Sequence, residues 1–227
     1  MPRETFEREL GRLQNETLAL GSMVESAITD AVEILKRRDR EGSQRLITQD
    51  RLLNEKRFAI EADALALIAT QQPMAGDLRT LAAILDIAGE LERIGDYAKG
   101  IAKINLMIGE EPFIKPLIDL PQMAAKARDM LHRALDAFVR QDVDQAHSIP
   151  AEDDEVDDLY NQVYRELLTL IMSNPNNIDQ ATFLLWVAHN LERAADRVTN
   201  VCERVVFTAT GKMIELDLED SGLESLA

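Results

Sequence analysis

Apolar residues recur three and four positions apart along most of this chain, the spacing of helices that bury one stripe. The pattern predicts six long helices: Thr5 to Arg38, Arg40 to Gln71, Ala75 to Met107, Gln122 to Arg140, Val143 to Met172 and Ile178 to Ala209. In the third, Ile84, Ile87, Leu91, Ile94, Ala98, Ile101 and Ala102 share one face, because each residue advances about 100° around the axis. The stretch "IGEEPFIKPLIDLP" (108 to 121) holds three of the seven prolines and no stripe, so it reads as a linker. "DLEDSGLESLA" closes the chain as an acidic tail. The expected organisation is a first three-helix bundle over 1–108, a linker over 109–121, a second bundle over 122–211 and a tail over 212–227.

The second bundle repeats the first. "ELERIGDYAKG" (90 to 100) and "NLERAADRVTN" (190 to 200) share Leu-Glu-Arg-x-x-Asp at a displacement of 100 positions. In the second helix of each unit the displacement is 103. Leu53, Ile60, Ala64 and Leu67 map onto Val156, Val163, Leu167 and Leu170, and Asp39 and Asp50 map onto Asp142 and Asp153. The three-residue difference is lost across the hairpin turns "ATQQPMAG" and "MSNPNNID", which carry Pro73 and Pro175 where a missing amide hydrogen does no harm. The fold class is therefore all-α: two tandem three-helix bundles related by internal duplication.

Composition agrees and narrows the partners. Aromatics are only 4% and apolar residues 46%, which suits helices with a real core. Lys and Arg number 25 against 41 Asp and Glu, a net charge of −16 that repels phosphate backbones and argues against nucleic acid. Cationic partners are expected instead. The single Cys202 precludes an internal disulfide, the N-terminal "MPRETFEREL" lacks an apolar signal core, and no apolar run approaches the ~18 residues of a membrane span. A cytoplasmic protein without membrane insertion is expected.

The repeated acids stand at a particular place on their helices. Relative to Leu91, Glu92 and Asp96 lie at about 100° and 140°, on a flank shared with Leu78, Leu81 and Leu85, while Arg79, Asp86, Glu90, Arg93 and Tyr97 form the outward arc. Glu192 and Asp196 share the equivalent flank with Leu185. In an antiparallel hairpin, residues equidistant from the turn face each other. Asp50 faces Asp96 and Asn54 faces Glu92 about Pro73; Asp153 faces Asp196 and Asp157 faces Glu192 about Asn174 and Pro175. A lone Glu-x-x-x-Asp is usually a solvated helix edge. Four facing pairs in mirrored registry, seven of their eight members acids and the eighth the amide of Asn54, point to oxygen-only sites for hard cations such as Mg²⁺, Mn²⁺ or Ca²⁺, and also for iron or zinc.

With these residues in place the chain resembles the PhoU family of phosphate-transport accessory and regulatory proteins. The resemblance spans residues 5 to 207 and is carried by "QPMAGDLR" (72 to 79), "ELERIGD" (90 to 96), "LERAADR" (191 to 197) and "NVCE" (200 to 203), in family order. It implies two three-helix bundles in pseudo-twofold repetition, a homodimer, and metal clusters of Fe, Zn, Mn or Mg on the bundle surface. The implied metal residues are Asp50, Asn54, Glu92 and Asp96 in the first half, and Asp153, Asp157, Glu192, Asp196 and Asn200 in the second. Gly100 replaces the family Asn in the first half, and Asn54 is neutral, so the first site is expected to bind metal more weakly. The implied function is negative regulation of high-affinity phosphate uptake and of the phosphate-starvation response, through the phosphate ABC transporter ATPase and a phosphate-sensing histidine kinase.

Two other classes compete. A di-metal carboxylate enzyme would place Glu-x-x-His pairs inside a bundle, but His132, His147 and His189 do not follow a Glu by three residues. His189 does lie one turn before Glu192, where it either packs or assists the second site. No Gly-rich phosphate loop, nucleophile elbow or Cys-His pair is present, so no enzymatic activity is expected. Cys202 falls in the core stripe, and Trp186 on the outer arc covers a stem or marks a contact surface. A purely structural helical scaffold is the remaining alternative, and metal content distinguishes it.

Overall fold

The computed structural model describes residues 3–216, and among these there are helices and turns but no strand. The acidic end of the chain from 217 onward lies outside the described residues. Helices α1 (Arg3–Arg37), α2 (Arg40–Gln71) and α3 (Ala75–Ile108) form the first bundle; α4 (Asp119–Arg140), α5 (Val143–Ser148), α6 (Asp153–Ser173) and α7 (Ile178–Thr210) form the second. The duplication is visible in the caps. Asp39 accepts a hydrogen bond from the Gly42 amide (2.8 Å) at the start of α2, and its counterpart Asp142 accepts one from the Gln145 amide (3.0 Å) at the start of α5. At the far end of α2, Gln72 takes a left-handed conformation (φ 48°) beside Pro73 and turns the chain into α3.

The apolar stripes became the core. Ile84, Ile87, Leu91, Ile94, Ile101 and Ala102 have no exposed surface; Leu53, Ile60 and Ala64 and their counterparts Val156, Val163 and Leu167 are buried against them, and Cys202 is buried as its stripe position required. Burying side chains of this size contributes about 1.5–3 kcal/mol each before ordering costs.

Three expectations need correction. The single helix expected from Val143 to Met172 is interrupted: α5 stops at Ser148, Pro150–Glu152 make one 3₁₀ turn, and α6 begins at Asp153. Pro150 has no N–H to give the carbonyl one turn back, and its ring crowds that turn, so the stripe cannot run through it. Helix α4, conversely, starts at Asp119, three residues before Gln122, within the segment read as linker.

The third correction concerns the outward arc of α3. Only part of that arc faces solvent: Asp86 and Arg93 are exposed, whereas Arg79, Glu90 and Tyr97 are partly covered where α3 meets α7, the most extensive helix contact among the described residues, which joins the halves. Asn200 Nδ2 donates to Glu90 Oε2 (3.3 Å), Arg197 pairs with Glu90 (3.6 Å), Arg204 pairs with Asp86 (3.4 Å), and the Arg193 guanidinium lies 5.3 Å from the Tyr97 ring centre. The contacts reciprocate, as those of twofold-related helices must. Position 90 meets 200, and Asn190 meets Gly100, where a Cβ would come within 3.0 Å of its Oδ1. A single-helix wheel shows one buried stripe; it does not show that a helix has a second neighbour met through paired charges. Among the described residues no helix is long and apolar enough to cross a membrane.

Candidate metal centre

In the first half, α2 and α3 bring Asp50 and Asp96 together around one ammonium. Lys99 Nζ stands 2.7 Å from Asp50 Oδ2 and 3.0 Å from Asp96 Oδ1. Asp50 is only 7% exposed, so it depends on that charge, and Asn54 Nδ2 adds a donor to the same Oδ2 at 3.2 Å. One turn away, Arg57 Nη1 lies 3.7 Å from Glu92 Oε2 while its Nε binds Glu61 at 2.8 Å. The Glu92 carboxyl titrates above the ordinary glutamate range; burial is the main cause, Asp96 and Asp50 add to it, and Arg57 opposes it. Lys99 is held charged above the usual lysine range, chiefly by its hydrogen bond to Asp50 and despite partial burial. Three carboxylates thus meet two built-in cations.

The second half has the same acids without those cations. Counting along the repeat, Lys99 corresponds to Thr199 and Arg57 to Tyr160, while Asn54 corresponds to Asp157. Burial pushes the Glu192 carboxyl up; His189 and Arg193 work against it, and Asp157 and Asp196 drive it further up. The Tyr160 hydroxyl is also raised, first by burial and then by Glu192, which places these two groups within electrostatic reach. His189 Nδ1 is 3.2 Å from Glu192 Oε2, yet that buried oxygen accepts no well-formed hydrogen bond. The His189 ring also tilts against Tyr160 at a centroid distance of 6.2 Å.

Asn200 does not join this set, since it crosses the seam to Glu90. Among the described residues, no three Asp, Glu, His or Cys side chains stand close enough to hold an ion as they are placed. The second set nevertheless fits a hard cation in its chemistry: its acids are oxygen donors, and Glu192 Oε2 is buried without a satisfied partner. The first set fits poorly, because Lys99 already stands between the two Asp carboxylates. Lys99 and Arg57 escape a sequence reading that pairs only oxygen-bearing Asp, Glu and Asn side chains across the hairpins. Lys99 was legible: three residues after Asp96, it shares that acid's face.

The chain matches the PhoU domain model twice, over residues 17–104 and 120–205. It is 36% identical to the phosphate-specific transport system accessory protein PhoU homolog of Clostridium acetobutylicum over 96% of this chain and 100% of that one. It is 38% identical to the homolog of Caulobacter vibrioides over 92% and 91%. Among solved structures, PhoU from Pseudomonas aeruginosa superposes with a TM-score of 0.86 at 31% identity, covering 91% of this chain and 100% of that one. The phosphate transport system regulatory protein PhoU from Streptococcus pneumoniae gives 0.85 at 32%, covering 92% and 99%. Two domain matches, one in each three-helix bundle, and end-to-end alignment with these relatives leave one conclusion: the chain belongs to the PhoU family.

Proposed function

We propose that this protein is a regulator of phosphate uptake that acts by binding, and that its second half carries a divalent-cation site. The observation supporting the first part is the co-linear likeness, over 92–96% of the chain, to proteins named as phosphate-specific transport accessory proteins. The fine reading is damping of high-affinity uptake and of the starvation response when phosphate is plentiful, through contact with the transporter ATPase and a phosphate-sensing kinase. No reaction is assigned to it. The metal residues would be Asp153, Asp157, Glu192 and Asp196, with His189 beside them; a bound cation would neutralise their mutual repulsion and satisfy Glu192 Oε2.

Deletion of the chromosomal copy tests the regulatory reading. Expected is derepressed phosphate uptake in phosphate-rich medium, restored by the parent chain. Unchanged uptake and unchanged starvation-gene expression, in a strain with no second family copy, would overturn it. Elemental analysis of protein purified without chelator tests the metal site independently.

A further inference from the structure

The two halves of a duplicated protein are expected to hold equivalent sites, but the charges here are not equivalent. We propose that Lys99 and Arg57 are tethered counter-ions that close the first carboxylate set to divalent metal, confining ion binding to the second half. The inference rests on the second-half reading for where ions bind, and on first-half geometry alone for where they do not.

Lys99 Nζ lies within hydrogen-bond distance of both Asp50 and Asp96, so an incoming cation would have to displace an ammonium from a nearly buried carboxylate. Displacement would leave Lys99 partly buried beside a divalent charge, which is unfavourable. Arg57 imposes the same conflict at Glu92. Asn54 Nδ2 donates to Asp50 Oδ2 at 3.2 Å and to the Asp50 backbone carbonyl at 3.3 Å, so it occupies a carboxylate oxygen that a cation would need. At the matched second-half positions the side chains are neutral. Thr199 is fully buried among core residues and Tyr160 is a phenol, so neither supplies positive charge. Arg193 and His189 are the cationic or ionisable groups that reach Glu192; Arg193 lies over Tyr97 on the seam side.

Native mass spectrometry of chelator-stripped full-length chain titrated with Mn²⁺ tests this. Glu192→Gln with Asp196→Asn should remove all bound ions, while Glu92→Gln with Asp96→Asn should leave the number per chain unchanged. In the Glu192→Gln/Asp196→Asn background, Lys99→Thr with Arg57→Tyr should restore at least one ion, and Lys99→Arg should restore none. Loss of ions on changing Glu92 and Asp96, or no ion regained in a Lys99→Thr/Arg57→Tyr chain of parental helicity, would overturn the proposal. If that double change does not fold, anomalous diffraction from Mn²⁺-soaked parent crystals decides: peaks beside Glu192 alone support the proposal, and a peak beside Asp50 overturns it. A parent that binds no Mn²⁺ would end the second-half reading, while the restoration experiment would still decide the role of Lys99.

Discussion

The two hairpins α2–α3 and α6–α7 place the same acids in the same registry, yet they solve the resulting repulsion differently. The first draws Lys99 between Asp50 and Asp96 and sets Arg57 against Glu92. The second has Thr199 and Tyr160 in those places, a further acid at Asp157, and His189 where the first has Gly89. A duplicated scaffold can therefore hold a conserved backbone arrangement while the charge balance of each copy is reset by side chains at its edge. The first set meets its charge with Lys99 and Arg57; in the second, His189 and Arg193 are the basic side chains that reach Glu192.

Metal gives the widest separation between the halves. Stabilisation by Mn²⁺ at a hundredfold excess over Kd should reach ~2.7 kcal/mol for the parent. Glu192→Gln/Asp196→Asn should abolish it and Glu92→Gln/Asp96→Asn should retain it, read as midpoints of urea unfolding with and without chelator. A metal response lost equally in both variants would break the comparison.

Next in size is the loss of the internal cation. Lys99→Met strands the nearly buried Asp50, and should destabilise the chelated protein by about 2 kcal/mol; this is less than for a fully buried pair, because Lys99 is 24% exposed. The raised Lys99 pKa has a sign. Its stabilising effect is complete below the unfolded lysine pKa and is lost as pH rises through the folded value, so parent and Lys99→Met should converge in strongly alkaline solution.

Acid titration sharpens the contrast by about 1 kcal/mol. Because the folded Glu192 pKa is raised, the folded state holds the proton more tightly, and stability falls as pH rises through the interval from the unfolded to the folded pKa. Glu192→Gln should thus be more stable than the chelated parent at pH 7, by about 1 kcal/mol or less, with the advantage shrinking as pH falls through that interval. Proton competition should weaken Mn²⁺ binding over the same interval. An advantage for Glu192→Gln that persists unchanged below the unfolded glutamate pKa would assign it to packing.

The smallest effect tests the Gly89/His189 difference. Gly89 sits inside α3 with no atom within 4 Å of where a Cβ would be. Gly89→Ala should raise stability by about 0.5–1 kcal/mol through helix propensity alone, with no change in ion number. A destabilised Gly89→Ala would show that the space beside Gly89 is not open to a methyl group.

Much of this was legible in the sequence, and the omissions have physical causes. A period of three to four residues reports burial, so the helices and the core stripe of α3 emerge from it directly. Symmetry about Pro73 brought Asp50 opposite Asp96, and one ammonium touches both. Pro150 was visible too, but the apolar repeat on either side of it masked the break, because periodicity survives a single interrupted turn. The α3–α7 seam was hidden for another reason: it is joined by Glu90, Arg197 and Asn200, whose polarity reads as solvent exposure until a second helix is present to answer it. Asn200, expected beside Asp196 from the family resemblance, donates its amide across the seam to Glu90.

Pro150 has a kinetic consequence. Asp50 lies eleven residues into α2, well inside a continuous ladder, whereas its counterpart Asp153 is the first residue of α6. Amide hydrogens around 153–157 sit beside a break and can exchange by local opening of one turn; those around 50–54 exchange only when a longer stretch of helix separates. Asp153 and Asp157 are thus mounted beside a helix break, and a ligand gathering them with Glu192 and Asp196 should slow deuterium uptake there far more than anywhere in α2.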